Sequence, residues 1–439
     1  MSHPRMRLRL ISSLAAAAAL VTGSAAAASI ELQLAAGDHD REQTPVQFAL
    51  PASLAKFEDF KLTRVSDGAS IPVQRYRTGK KPKVGWILQE ALKAGETRRY
   101  RLEGLTQPPF PAPRDQVTVE DDGKALQVEV GGRPALRYNY EVVESPEGID
   151  PIYRRSGHIH PLFTPSGREV TGDFPVDHPH QHAIFFAWVN STLDGKRLDF
   201  WNQAAKNARI EHARFHGKPE WGPVFAKFSA LLRHQDVTSP ESPQPVLNEN
   251  WIVRVYNTKG HFIVDLYSRQ RNVSVWPLVI KEYHYGAMAI RGTDQWFDAK
   301  IAEEIKAKTR KKAKTPPQEL AKIPVKRDFL TSEGKTWIDG NATEARWVEM
   351  HGKIDGAPAG ITAMGHPDNF RAPQTVRLHP SKPYFCFAPM AKGQFEIKPD
   401  EEYVSRFRFY LHDGPVDAKE SERHWNDYAH PPKVSVVKK

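Results

Sequence analysis

Histidines spaced by two recur along this chain. His158-Ile159-His160 is one pair, and Asp177-His178-Pro179-His180-Gln181-His182 is the densest group. Glu282-Tyr283-His284 brings a carboxylate beside an imidazole, and Gly365-His366-Pro367-Asp368-Asn369 adds one more histidine with Asp and Asn. Residues two apart share one face of a strand, so each pair presents its side chains together. Imidazole titrates near neutrality and can donate, accept or ligate. Two chemistries follow. In the first, His180 or His182 works with Glu282 as general acid and base: a proton leaves one side of a sugar carbon and another reaches the leaving or ring oxygen. In the second, His180, His182 and a further His or Glu282 hold a divalent metal that polarises a carbonyl or activates water. On this reading His180, Glu282 and His284 are catalytic. His158, His160, His178, His182, Trp201, His366 and Asn369 contact the substrate, and His178, His180 and Glu282 are the metal candidates.

Each group also has a plainer role open to it. A strand histidine is often a satisfied structural residue, Glu282 and His284 would make a cross-strand pair, and Pro-Asp-Asn is good turn chemistry. The chain has no HExxH, no GxSxG and no phosphate-cradling glycine loop, so serine hydrolysis and nucleotide chemistry have no support. Trp188, Trp201, Trp276, Tyr283, Tyr285 and Phe370 lie in or near the histidine motifs. Aromatic faces of this kind stack on sugar rings, although most aromatics in such a chain fill cores.

The elements that must position these groups read as strands. Ser29–Leu34, Pro45–Leu50, Phe60–Val65, Ile71–Tyr76, Val84–Leu88 and Thr97–Leu102 are short runs separated by Ala36-Gly37-Asp38, Ser66-Asp67-Gly68 and Thr78-Gly79-Lys80. That spacing predicts a small β-sandwich over 29–106. Gln107 to Asp115 carries four prolines and predicts a stiff linker. From 116 to 439 further runs rich in Val, Ile, Phe, Tyr and Trp predict a large antiparallel sandwich with few helices. Galactose-mutarotase-like proteins offer an analogy for it. Pro175 and Pro179 make 173–182 a loop that enters the apolar run Ala183–Trp188, a polar mouth on a buried strand.

The chain has 439 residues, a net charge of +10 and a single Cys. One Cys excludes a disulfide framework and a Cys-based zinc cluster. Cys386, inside Tyr384-Phe385-Cys386-Phe387, reads as a small buried hydrophobe. The charge is local. Arg5, Arg7 and Arg9 supply three positive charges, and ten Lys/Arg against three acids over 300–327 supply the other seven. The body is balanced and offers no basic face for a nucleic acid. The basic stretch is read as a solvated insertion, with Ile301–Lys312 helical in composition. Arg5–Arg9, the short apolar run Leu10–Val21 and Ala26-Ala27-Ala28 have the form of a Sec-type signal over 1–28. That predicts export to the periplasm or beyond, with no transmembrane segment after cleavage.

The strings Pro161–Gly167, Asp173-Phe174-Pro175-Val176-Asp177-His178-Pro179-His180-Gln181-His182, Glu282–Gly286 and Gly365–Asn369 resemble the bacterial family labelled "methane oxygenase PmoA". The resemblance runs over roughly residues 30–415 and implies the same strand-rich architecture. The family occurs in organisms rich in polysaccharide-degrading genes, which implies a carbohydrate ligand. Its label is not carried over. A membrane monooxygenase subunit needs transmembrane helices, and a copper histidine brace needs an N-terminal His where this chain would begin at Ser29. The expectation is an exported carbohydrate lyase, hydrolase or epimerase, with or without a divalent metal. The alternative is a carbohydrate-binding or surface scaffold protein without catalysis.

Overall fold

The computed structural model describes residues 28–108, 115–310 and 315–438. The signal read at 1–28 lies outside the described residues except for Ala28, as do 109–114 of the linker and 311–314 of the basic insertion. The fold is all-β, and the sheets are antiparallel throughout.

Two sandwiches share the chain. In the first, a five-stranded sheet contains Ala28–Ala35, Thr97–Leu105, Asp59–Arg64 and Ser70–Ile71, and a three-stranded sheet contains Thr44–Ala49, Lys81–Leu88 and Gln74–Thr78. Alternation puts Leu32, Leu34, Leu62, Val84, Trp86, Tyr100 and Leu102 between them as one core. The fifth strand of the first sheet is Lys433–Val436, which pairs with Leu32–Ala35 from the far end of the chain. The preceding helix Ala418–Ala429 starts on the Asp417 carboxylate, which accepts from the Lys419 and Glu420 amides. From this helix Asp427 makes a fully buried ion pair with Arg41, 3.0 Å long, and accepts from Thr44 Oγ1. Chain ends some four hundred residues apart thus meet in one place.

In the second sandwich, an eight-stranded sheet is built around long strands, among them Phe225–Asp236, Gln244–Tyr256, His261–Asn272 and Glu402–Asp413. It packs on a nine-stranded sheet that includes Arg133–Asn139, His158–Leu162, Ile184–Ala187, Ala287–Arg291, Tyr384–Phe387 and Gln374–Leu378. Phe186 against Tyr403, Phe385 against Phe329 and Phe387 against Phe407 join the two sheets. One carboxylate is sealed inside: Glu249 accepts from His234, Trp251, Ser268 and Gln270, which satisfies its charge without water.

The helix read in the basic stretch spans Ala299–Lys308 and is capped by Asp298. It docks through Ala302 and Ile305, while Lys306 and Lys308 pair with its own Glu303 and Glu304. Among the described residues no helix is long and apolar enough to cross a membrane. Cys386 is buried, and burial pushes its thiol up to about 11, so it stays protonated.

Candidate functional site

Strand register decides which side chains of the nine-stranded sheet face away from the core. Ile159 pairs with Ile184, and Ile184 with Ile290. Those residues, with Phe186, Met288 and Phe385, fill the core. The alternate positions must point to the other side. They are His158 and His160, Phe185, Arg291, Tyr384 and Arg377, brought side by side by the pairings Phe185–Ala289, Arg291–Tyr384 and Cys386–Arg377. A sheet face carrying two histidines, two arginines and a tyrosine is a site and not a second core. Two loops fold over it, 163–183 and 199–207. The histidine loop carries Phe174 at φ +47° and Ala183 at φ +52°. Left-handed backbone at a phenylalanine is costly, and such strain concentrates at functional loops.

Beneath the loop lies a closed trio. The Asp173 carboxylate faces His158 Nε2 at 2.9 Å with Oδ2 and His182 Nδ1 at 2.8 Å with Oδ1. Burial opposes its charge, but the two imidazoles outweigh burial and hold the carboxyl far below the usual range. Gln203 fixes the proton on the other side. Its Nε2 donates to the carbonyls of Ile152 and Arg154, so its Oε1 faces His182 Nε2, 2.9 Å away. Both nitrogens of His182 therefore face oxygen acceptors. One of the two contacts lacks a proton unless the ring is charged, and burial lowers His182 against that charge despite Asp173, so a metal ion is the other group that could fill the place. His158, Asp173 and His182 have donor atoms all within 4.8 Å of one another, the spacing that could hold a divalent ion. This differs from the expected set of His178, His180 and Glu282. We expect Asp173→Ala to lower the unfolding free energy by about 3–5 kcal/mol, because it strands two buried imidazoles. Urea denaturation measures this, and a loss under about 1 kcal/mol would show that the trio is not a structural unit.

Beside the trio the same loop gathers a second, partly buried cluster. Lys382 Nζ lies 2.5 Å from Asp177 Oδ2 and 2.7 Å from His178 Nδ1. Asp177 also pairs with the fully buried Arg291, whose Nη1 donates to Gln181 Oε1. Burial works against the Asp177 charge, but His178, Arg291 and Lys382 hold it far below the usual range. The Lys382 ammonium reaches both the carboxylate and His178 Nδ1, and the same Nδ1 lies 3.1 Å from Asp177 Oδ2, so His178 either accepts from the lysine or donates to the carboxylate. The His180 ring centre is 5.4 Å from that of His178. Unlike His178, its ring makes no hydrogen bond among the described residues, and it is only partly buried. Burial first, then His178 and His182, pushes it down to about 3, so it is uncharged at neutral pH. His379 joins the same cluster, 6.3 Å from His178, and burial pushes it down to about 2.

The other expected residues separate into groups. His160 braces the loop through Thr171 and Glu169. Trp201 is fully buried under Tyr285 and against Phe185 and Tyr384, so it is floor and not a stacking face. Tyr283, His284 and Tyr285 pack on one another as a rim, the tyrosines half-buried and His284 exposed. Glu282 stands in solvent and makes no hydrogen bond or ion pair, so the expected pair with His180 is not formed. Its neighbour Gly286 leaves room for Met390 and Val189 of the chain itself. His366 and Asn369 belong elsewhere. Asn369 clamps the Arg406 backbone with both amide atoms, and His366 packs on Tyr428 beside a separate small cavity. Phe370 stacks with Phe395 there, and Trp276 projects into solvent. We expect Glu282→Gln to leave turnover within about twofold of the parent, since a surface carboxylate without partners contributes little. A loss beyond tenfold in a product assay would return Glu282 to catalysis.

Sequence reading missed Asp173 as the centre of the trio, and Arg155, Gln203, Arg291, His379 and Lys382 altogether. Only Asp173 carried a signal, its place four residues ahead of Asp177 in the same motif.

Residues 125–426 match the model of a family described as "Family of unknown function (DUF6807)". The chain belongs to that family. The matched stretch holds every residue of the trio and the cluster beside it. No curated protein matches the chain. Among solved structures it is similar to "The crystal structure of an alpha-mannosidase from Enterococcus faecalis V583", with 9% identity and a TM-score of 0.42, over 93% of this chain and 46% of that one. The DUF6807 chain thus spans about half the length of that structure.

Proposed function

We propose that this DUF6807 protein is an exported carbohydrate-active enzyme that moves protons on a sugar at the His178–His180 cluster. The observation that carries the reading is the pairing of two unlike imidazoles. His178 Nδ1 is held between Lys382 and Asp177, and His180 has an unengaged ring beside it. With its proton on Nε2, His178 can donate to a leaving or ring oxygen while the His180 lone pair accepts the proton of a hydroxyl or an acidic carbon. Lys382 and Asp177 hold the His178 ring and stabilise the charge as it moves. The tyrosine rim supplies flat faces for a sugar ring. A lyase, a hydrolase and an epimerase each need this pair of transfers. Where the His158–Asp173–His182 trio takes a metal, its role is to stiffen the loop that carries the cluster.

Incubation of the mature chain with a panel of glycosides, read by mass spectrometry and by proton exchange at sugar carbons next to a carbonyl or carboxylate, tests the reading. A product, or exchange into solvent, is expected for at least one sugar. Sugar binding without either would leave a carbohydrate-binding protein.

A further inference from the structure

Arg155 is the one buried arginine, among the described residues, whose guanidinium makes no hydrogen bond. Arg41, Arg291, Arg327 and Arg408 are equally buried, and each grips a carbonyl or a carboxylate. Arg155 is 3% exposed, and its Nε and Nη2 are sealed from solvent with nothing to donate to. It forms no ion pair either. Asp173, the acid that acts most strongly on it, is already committed to His158, His182 and the Phe174 amide. The cation rests over the Phe185 ring at 5.5 Å, which compensates a lost hydration shell only in part. A buried guanidinium with donors unmet is a costly feature unless something fills it in the working state.

Arg155 lines a cavity of about 590 Å³, room for a disaccharide. Its other charges are Arg154, Lys206, Arg209, Asp150 and Glu211. Arg209 is paired with Glu211, and the Asp150 carboxylate is turned onto the Ile152 amide. Arg154 turns toward Glu144, 4.0 Å away and outside the lining, so the positive charge left over is carried by Arg155 inside and Lys206 at the rim. The wall between this cavity and the cluster is Gln203, which binds His182 on one side and the Ile152 and Arg154 carbonyls on the other. Tyr153 lies 6.5 Å from His180 across the same divide.

We propose that this cavity is a subsite for the carboxylate of an acidic sugar, received by Arg155. Nη1 is the one guanidinium nitrogen of Arg155 that is not sealed, and it can donate to one carboxylate oxygen while Lys206 at the rim attracts the same charge. This rests on the carbohydrate reading above and names its substrate class as uronates.

Calorimetry on the full mature chain tests it with three probes: a disaccharide ending in glucuronate or galacturonate, the neutral disaccharide of the same linkage, and its 6-sulfate. The uronate is expected to bind at least about tenfold tighter than the neutral sugar, with the advantage lost in Arg155→Gln and reduced in Lys206→Ala. The second variant sits in an exposed turn and keeps the test valid should the first not fold. Equal affinity for uronate and neutral sugar would overturn the subsite while leaving the carbohydrate reading intact. A preference for the sulfate over the uronate would overturn the carboxylate assignment. Binding of none of the three would overturn the carbohydrate reading itself.

Discussion

Replacing His180 by alanine is expected to lower turnover by about 10²–10⁴-fold, the range for loss of a positioned acid or base. The melting temperature should move by no more than about 2 °C. The asymmetry follows from its contacts. The His180 ring makes no hydrogen bond among the described residues, so its removal leaves no partner unsatisfied. It is only partly buried, so it leaves no sealed cavity. His182, two residues on, is the contrast. It is fully buried and bonded at both nitrogens, so its replacement should cost stability before it costs anything else. His180 held down to about 3 is a weak base in this cluster. A negatively charged sugar seated beside it would raise its basicity as the reaction requires, which ties the Arg155 cavity to the chemistry of the cluster. Turnover and thermal unfolding on the same His180→Ala preparation decide the matter. Lost turnover with an unchanged melting temperature assigns His180 to chemistry. A melting temperature lower by about 10 °C would make it structural, and unchanged turnover would move the active site elsewhere.

What could be read from the sequence follows the distance over which each feature is encoded. Strands announced themselves locally through alternation and turn clusters, as in Ser29–Leu34 against the observed Ala28–Ala35. The return of Lys433–Val436 to the first sheet was invisible, because nothing near it in sequence names its partner. The site behaves the same way. The dense loop Asp173–His182 was legible because proline, histidine and aspartate crowd one segment. Lys382 and Arg291 reach Asp177 from more than a hundred residues away, and a lone Lys or Arg in a strand carries no mark of what it will face. Glu282 drew attention by its neighbours Tyr283 and His284. The rim they form is real, but the carboxylate points out of it. His366-Pro367-Asp368-Asn369 looked like chemistry and is turn chemistry, since Asn369 spends both amide atoms on the Arg406 backbone.

The same burial that silences these histidines should make the protein sensitive to mild acid. His212 is pushed down to about 4 and His261 to about 3, each by burial first. His379 lies at about 2, and His424 well below the usual range. His261 lies under the C-terminal helix and faces its His424 at 4.6 Å, with Arg423 alongside, so neither can take a proton without meeting another cation. In the unfolded chain each would protonate near pH 6.5. Between there and about pH 4 the unfolded chain binds more protons than the folded one, so stability falls as pH falls, by about 1.4 kcal/mol per pH unit for each such group. From pH 7 to 5 these groups, with His160 and His180, which burial also lowers, are expected to bring the melting temperature down steadily. Asp173 and Asp177 stay charged across this window and do not contribute. Glu169, Asp199 and Asp427 are raised by burial and blunt the fall only toward its acid end. Thermal unfolding at half-unit steps of pH measures the slope. His424→Gln should flatten it by about one proton's worth, because one of these groups no longer titrates. A melting temperature that stays level from pH 7 to 5 would mean that these rings reach water or an acid in solution, and the packing of the helix Ala418–Ala429 over His261 would have to be redrawn.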